Sequence, residues 1–319
     1  MKPPAGCDPD SIVLSFRVAR EHAGQRLDRF VQSRIPRLSR TRAQQIVKAC
    51  AYRPDGRRRR PSERVREEEV VLIVRPRFEE PETPRDFGIV HEDAHMLVVD
   101  KPAGLPVHPT ATYHRNTLTY LLRQRYGDEQ TPHIAHRLDR ETSGIVVCGK
   151  HRDAERALKI AFERRRVHKT YLAIVRGELP AEEGAIELPM GPAREGLHVL
   201  MEVRDDGMPA VTRYRVLERR GAHALVRLAL ETGRQHQLRV HLAAVGAPIV
   251  GDKLYGPEGA QPFLDYIEEG LTPDLVRRVG HERQALHAAE VELVHPATGE
   301  RVRLEAPLAP DLAALWARC

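Results

Sequence analysis

The most elaborate polar run of the 319-residue chain is "AHRLDRETSGIVVCGK", residues 135–150. It sets Asp139 between Arg137 and Arg140, with Glu141 two positions on and the apolar "IVVC" behind. Two readings of these carboxylates compete. An aspartate beside arginines is commonly a structural ion pair, here with Arg137 or Arg140. Two acidic residues at i and i+2 of extended backbone instead point to one side, as a glycoside-cleaving enzyme would need. A substrate grip would come from elsewhere in the chain. "KTYLAIVRG" presents Tyr171, and "LETGRQHQLRVHLAAVG" carries Arg234 and Arg239 around a strand–turn–helix junction. In that helix Leu238, Leu242 and Val245 mark the buried stripe and leave Arg239 on its edge.

Other chemistries find little support. Sixteen histidines invite a metal reading. His236 and His241 are five apart, wrong for one helical face, and no H-E-x-x-H or Cys/His cluster occurs. Cys7, Cys50, Cys148 and Cys319 lie at neither metal-ligand nor disulfide-framework spacing. Glycine-rich phosphate loops and the G-x-S-x-G elbow are missing, so nucleotide-cofactor and serine-hydrolase readings lose their support. The expectation is an active site without metal or cofactor.

The elements that must position these residues read as an α+β domain with a mixed, mainly antiparallel sheet. Strand-like runs recur as "MLVVDKPAG", "SGIVVCG", "HKTYLAIVRGEL", "TRYRVLER", "HALVRLALE" and "EVELVHPATGERVRLEA", the last a hairpin around Pro-Ala-Thr-Gly. Helical runs are fewer: "NTLTYLLRQRY", "DAERALKIAFERRR" and "HQLRVHLAAVG".

A smaller unit precedes this domain. Residues 1–23 read as a tail and lead-in, 24–75 as a small α/β RNA-binding domain, 76–86 ("RFEEPETPRD" within it) as a Pro/Glu-rich linker and 87–319 as the catalytic domain. Leu27, Phe30, Val31 and Ile35 follow helical spacing up to Pro36. Ser39 caps a second helix whose apolar stripe is Ala43, Ile46, Val47 and Cys50. Arg40, Arg42 and Lys48 fall off that stripe and face outward together with the "RRRR" of residues 57–60. Residues 1–86 hold 20 Lys/Arg against 13 Asp/Glu, leaving 31 of 51 basic and 32 of 45 acidic residues for the rest. The basic excess therefore sits in the first quarter, which fits an RNA partner or a solvated charged face. No apolar run approaches the ~18 residues of a membrane helix, and "MKPPAGCDPD" has no signal-peptide core. A cytoplasmic monomer without membrane contact is the default expectation.

The N-terminal stretches "RLDRFV", "LSRTRAQQIV" and "PSERVREEEVVLIV" resemble the small RNA-binding domain shared by a small-subunit ribosomal protein and tyrosyl-tRNA synthetase. "ACAYRPDGRRRRP" replaces that domain's usual short Gly-rich hairpin. From about residue 24 to 307 the chain resembles the pseudouridine synthases that modify ribosomal RNA and, in some members, tRNA. The resemblance is carried by "IVHEDAHMLVVDKPAGLPVHP", "HRLDRETSGIVVCGK", "HKTYLAIVRG", "LETGRQHQLRVHLAAVGAPIVGDKLYG" and "LHAAEVELVHPATGE", with Gln235 departing from the usual G-R-T-H-Q.

That resemblance implies a cofactor-free isomerisation of uridine in RNA, with large-subunit rRNA the expected substrate and tRNA the alternative. It implies that Asp139 is the catalytic aspartate, adding to the ribose or removing a ribose proton, with Arg239 as its partner. Tyr171 would stack on the uracil and help remove the carbon-5 proton, while Arg137 would fill the space of the flipped nucleotide or bind phosphate. Arg234 and His136 are expected at the substrate, and Arg40, Arg42 and Lys48 on the RNA. Lys101, His108, His136, Thr142 and Ser143 belong to the matched stretches as positioning residues, and Gly233 and Gly251 as turn residues. A non-catalytic RNA-binding or ribosome-assembly factor on the same fold is the alternative of another class.

Overall fold

In the computed structural model, residues 3–4, 6–9, 11–35, 38–75, 80–110 and 112–319 are described. Pro36 and the start of the expected linker, residues 76–79, lie outside them. The chain divides into two compact units, Met1–Glu79 and Glu80–Cys319.

Unit one consists of β1 (Ile12–Arg17), a 3-10 turn, α1 (Leu27–Arg34), α2 (Arg40–Cys50), β2 (Ala51–Tyr52) and β3 (Val70–Arg75). The three strands order as β1-β3-β2, so residues 12–17 are a sheet strand and not the tail expected there. Leu27, Phe30 and Val31 of α1 meet Ile46 and Val47 of α2 over Val71 and Ile73 of β3. Ser39 caps α2 by accepting from the Arg42 N–H at 3.2 Å. Buried Asp28 accepts from Arg26 at 2.8 Å and from Gln44 at 3.0 Å, tying α1 to α2, and the Arg26 guanidinium lowers its pKa to about 2.

Arg40, Arg42 and Lys48 are exposed, as are Arg57, Arg58 and Arg60. Arg59 corrects the outward-facing "RRRR": it is only 2% exposed and pairs with Glu63 at 3.1 Å and Glu69 at 2.9 Å. A guanidinium can enter the interior because two carboxylates compensate its lost hydration. The 51–59 insertion is itself a hairpin, closed by Arg53 N–H to Arg57 O and Arg59 N–H to Ala51 O, both 2.8 Å.

Unit two comprises β4 (Gly88–Glu92), β5 (Met96–Lys101), α3 (Leu118–Tyr126), β6 (His133–Ile134), β7 (Ser143–Gly149), α4 (Arg152–Glu163), β8 (His168–Arg176) and β9 (Glu183–Glu187). It continues through β10 (Met190–Pro192), β11 (Met201–Val203), β12 (Val211–Arg220), β13 (His223–Leu230), α5 (Gln237–Ala244), α6 (Gln261–Glu269), α7 (Pro273–Val279), β14 (Leu286–Val294), β15 (Arg301–Glu305) and α8 (Pro310–Arg318). The main sheet runs β4-β5-β7-β14-β8-β13-β12-β9, with β15 on β14 and β6 on β7. Its pairings are antiparallel except β14 with β7, joined in parallel at His287↔Ser143 and Ala288↔Gly144. This is the mixed, mainly antiparallel α+β fold expected from the strand pattern.

The uninterrupted apolar "IVVC" reflects a strand covered on both faces. Val146 and Cys148 enter one core with Leu97, Val99, Leu118 and Leu122. Ile145 and Val147 enter the other with Met96, Val98 and Leu158. Gly144 opens this strand at φ 107, where a Cβ would stand 2.2 Å from Ala288 O, so only glycine permits the parallel contact. The end of the expected linker is fixed to this unit. Glu80 accepts from the Arg115 and Asn116 N–H groups at 2.9 and 2.8 Å, and Asn116 donates to Pro81 O at 2.8 Å.

Candidate active site

The turn before β7 is pinned from several sides. Lys101, fully buried, donates to Pro102 O, Leu105 O and Arg140 O at 2.9, 3.0 and 3.2 Å. Arg140 donates to Tyr113 and Tyr266 hydroxyls at 2.6 and 3.1 Å. Arg283 donates to Glu141 O at 3.0 Å and to Ser143 Oγ at 3.1 Å, and Ser143 Oγ lies 3.0 Å from His287 Nδ1. Thr142 N–H returns to Asp139 O at 3.2 Å. The backbone between Asp139 and Glu141 is therefore turned, and the two carboxylates diverge.

Glu141 lies against Lys253, whose Nζ donates to both its oxygens at 3.1 and 3.2 Å. Asp139 faces the other way, into a cavity of about 260 Å³ lined also by Arg137, Lys169, Tyr171, Arg234, His236 and Arg239. This separation contradicts the glycoside-cleaving expectation, which needs both carboxylates in one pocket. The simple ion-pair expectation also fails, because Asp139 pairs with neither Arg137 nor Arg140 but with Arg239, whose Nη1 donates to its Oδ2 at 3.1 Å.

Arg239 is buried, 7% exposed, and not on a solvent edge. The short helix α5 buries every residue from Gln237 to Leu242. Its entrance is built by Gln237, which accepts from Thr232 Oγ1 and Arg234 N–H at 2.8 and 3.0 Å and donates to Val211 O and Thr212 Oγ1, both at 3.0 Å. His236 takes the left-handed conformation at φ 54 to begin the helix.

Behind Arg239 stands Asp252, to which the sequence alone assigns no role. Arg239 Nε and Nη2 donate to its two oxygens at 2.6 and 2.9 Å, and the Leu254 and Tyr255 N–H groups donate to it at 2.9 and 3.2 Å. Burial disfavours the Arg239 charge, but Asp252 and then Asp139 outweigh it and raise its pKa. Burial likewise disfavours ionised Asp252, and Arg239 lowers its pKa in return. Gly251, at φ 77, lets this turn pass under Arg283 O, only 1.9 Å from where a Cβ would lie.

Tyr255 adds a further layer. Its ring lies 4.9 Å from the Arg239 guanidinium, and its hydroxyl accepts from Met201 N–H at 3.0 Å and lies 2.6 Å from His236 Nδ1. The other ring nitrogen of His236, Nε2, stands 3.9 Å from Asp139 Oδ2. Burial and the Arg239 charge lower the His236 pKa, which keeps the ring neutral.

Tyr171, 6% exposed on β8, lines the cavity and makes no hydrogen bond through its hydroxyl among the described residues. Burial and the Asp139 charge raise its pKa, so the phenol stays protonated. Arg137 is exposed on the rim and Arg234 half-exposed, donating to Pro209 O at 3.4 Å. Thr142 also lines the cavity and accepts from Gln284 Nε2 at 2.6 Å.

His136 is not brought into the cavity. Its ring stacks on Phe162 at 4.3 Å and its Nε2 accepts from Val147 N–H at 3.1 Å, while burial lowers its pKa to about 3. His108 lines a neighbouring groove, 3.2 Å from Thr119 Oγ1. Gly233 is not in the left-handed region; a Cβ there would meet Lys169 Nζ at 3.6 Å. Lys169, His236, Asp252 and Tyr255 are site residues that the sequence did not reveal. No spacing or periodicity in the sequence marked them.

A sequence profile of the RNA pseudouridylate synthase family matches residues 95–244. The chain is 39% identical over 311 residues to the ribosomal large subunit pseudouridine synthase D of Xanthomonas campestris, covering 95% of this chain and 91% of that one. The chain belongs to the RNA pseudouridine synthase family. It is thus an isomerase of RNA uridines, the class expected from its motifs. The same-named protein of Pseudomonas aeruginosa is 38% identical, with 96% and 95% of the two chains covered. An uncharacterised RNA pseudouridine synthase of Chloroflexus aurantiacus is 40% identical, over 90% and 88%. Among solved structures, human RNA pseudouridylate synthase domain containing 4 aligns with a TM-score of 0.57 at 29% identity, covering 72% of this chain and 92% of that one. Among the described residues no helix is long and apolar enough to cross a membrane.

Proposed function

We propose that this pseudouridine synthase acts on large-subunit ribosomal RNA and that Asp139 carries its chemistry. The substrate reading is supported by the named function of relatives that match the chain over nearly its whole length. The observation that carries the site is the bridge Asp252–Arg239–Asp139. Asp252 holds two guanidinium nitrogens, so the third reaches Asp139 Oδ2, and the Asp139 side chain lines the cavity.

Isomerisation breaks the bond between uracil N1 and ribose C1′, turns the base, and joins C5 to C1′. The C5 proton is lost and N1 gains one, so no atoms or electrons change in total. Addition of the carboxylate to the ribose and removal of a ribose proton both need an ionised carboxylate beside the sugar. Arg239 supplies its counter-charge. Tyr171 packs against the uracil; its protonated phenol supports stacking over the role of base. Arg137 at the rim fills the gap left by the flipped nucleotide, whose extrusion costs a few kcal/mol. Arg40, Arg42 and Lys48 of unit one add sequence-independent phosphate contacts.

Mapping pseudouridines in large-subunit rRNA from cells with and without the gene tests the substrate. The reading expects one or more positions to revert to uridine. An unchanged rRNA map with a lost tRNA pseudouridine would overturn it.

A further inference from the structure

Net charge conceals where free cations lie. On the strands of unit two most arginines are tied to carboxylates, among them Arg213 to Glu231 and Arg227 and Arg303 to Glu290, while Arg176 and Arg215 stand singly without one among the described residues. The turn joining α4 to β8 differs. Arg164, Arg165 and Arg166 are exposed, and among the described residues none lies within ion-pair distance of a carboxylate, although Glu163 precedes them. Their backbone is fixed by N–H donation to Ile160 O at 2.9 Å, Phe162 O at 3.1 Å and Ala161 O at 2.9 Å. Arg165 sits at φ 55, a conformation that costs a side-chain-bearing residue ~1 kcal/mol or more.

Lys169 follows on β8, two residues before Tyr171 and so on the same face, about 7 Å along the strand. Its Nζ stands 5.8 Å from the Phe162 ring, lines the cavity, and has neither carboxylate nor hydrogen-bond acceptor among the described residues. A Cβ at Gly233 would lie 3.6 Å from that ammonium, in ordinary contact with it. A half-buried cation without a counter-ion is costly to maintain. Burial indeed lowers its pKa.

We propose that Lys169 and the Arg164–Arg166 turn form a phosphate-binding edge of the catalytic unit itself, holding the RNA backbone that flanks the flipped uridine. This rests on the RNA reading above and adds a second grip to the basic face of unit one.

The test uses the full chain and a large-subunit rRNA transcript, with affinity measured across a salt series and single-turnover rate at saturating RNA. Arg164→Gln/Arg165→Asn/Arg166→Gln should weaken binding about tenfold or more and flatten the slope of log affinity against log salt by about 2, since each phosphate no longer neutralised removes roughly 0.7–0.9. The saturated rate should stay within about twofold. Arg164→Lys/Arg165→Lys/Arg166→Lys should keep both affinity and slope, and Lys169→Met should raise the half-saturating RNA concentration. If the triple neutral variant melts early, Arg166→Gln alone carries the test, with a slope change near one. A folded neutral variant with wild-type affinity and slope overturns the inference. A wild-type chain that forms no pseudouridine in the transcript instead overturns the substrate reading.

Discussion

Arg239 reaches Asp139 with one guanidinium nitrogen, 3.1 Å from Oδ2, because its other two donor positions are already held by Asp252 at 2.6 and 2.9 Å. The carboxylate that faces the cavity is thus aimed by one that never enters it. Asp252 is a positioning residue in this arrangement. Asp252→Asn should lower the single-turnover rate much more than RNA affinity, and it should destabilise the unit by about 3–5 kcal/mol, the usual result of leaving a buried charge half-paired. Denaturation together with single-turnover kinetics checks this. A variant that loses stability yet turns over at the wild-type rate would remove Asp252 from that role.

Glu141 gives the complementary case. It neutralises Lys253, a lysine only 3% exposed, and takes no part in the cavity. Glu141→Gln should cost stability and leave turnover at saturating RNA within a few-fold in the molecules that remain folded. A loss of turnover equal to that of an Asp139 variant would restore the paired-carboxylate reading.

Stability should carry a histidine signature in acid. His136 is held at about 3, well below its ordinary ~6.5. Between those values the unfolded chain binds a proton that the native chain refuses, so stability is full above pH ~6.5 and declines as pH falls toward 3. The extra slope is at most one proton, ~1.4 kcal/mol per pH unit. His136→Gln should show a shallower decline. Urea unfolding across this range, followed by the fluorescence of the single tryptophan, Trp316, in the core of unit two, measures it. Identical slopes in the two proteins would refute the assignment.

Unit one should act on affinity alone. Neutralising Arg40, Arg42, Lys48, Arg57, Arg58 and Arg60, while sparing buried Arg59, should weaken RNA binding. Its salt dependence should flatten by roughly 0.7–0.9 for each phosphate these side chains no longer neutralise. The saturated rate should hold. A collapsed rate at unchanged affinity and slope would argue that this unit is no RNA grip.

Much of this architecture was legible because local rules and tertiary packing agreed. Ser39 caps its helix as its position suggests, and the "PATG" turn closes the β14–β15 hairpin. Sheet membership of residues 12–17 was not legible, since Ile12 and Leu14 are exposed on an edge strand and lack a clean alternation. Helices α6, α7 and α8 were missed despite prolines in their first turns. At the site, Asp139, Tyr171 and Arg239 do meet in one cavity. Burial of Arg239 was invisible because helical periodicity marks an apolar stripe and cannot show that a short helix is enclosed on all sides. Arg59 and His136 failed for a related reason: whether a polar side chain turns inward is decided by the partners that the fold brings to it, Glu63 and Glu69 for one and Phe162 and Val147 for the other.

The most direct test is Asp139→Asn. Replacing the carboxylate by an amide keeps the shape and the acceptor for Arg239 but removes the charge that either chemical route requires. With carbon-5-tritiated uridine in the RNA, tritium release at saturating substrate should fall by on the order of a thousandfold or more, with RNA affinity within a few-fold of wild type. Release at a rate near wild type, from a folded variant, would contradict the role given to Asp139.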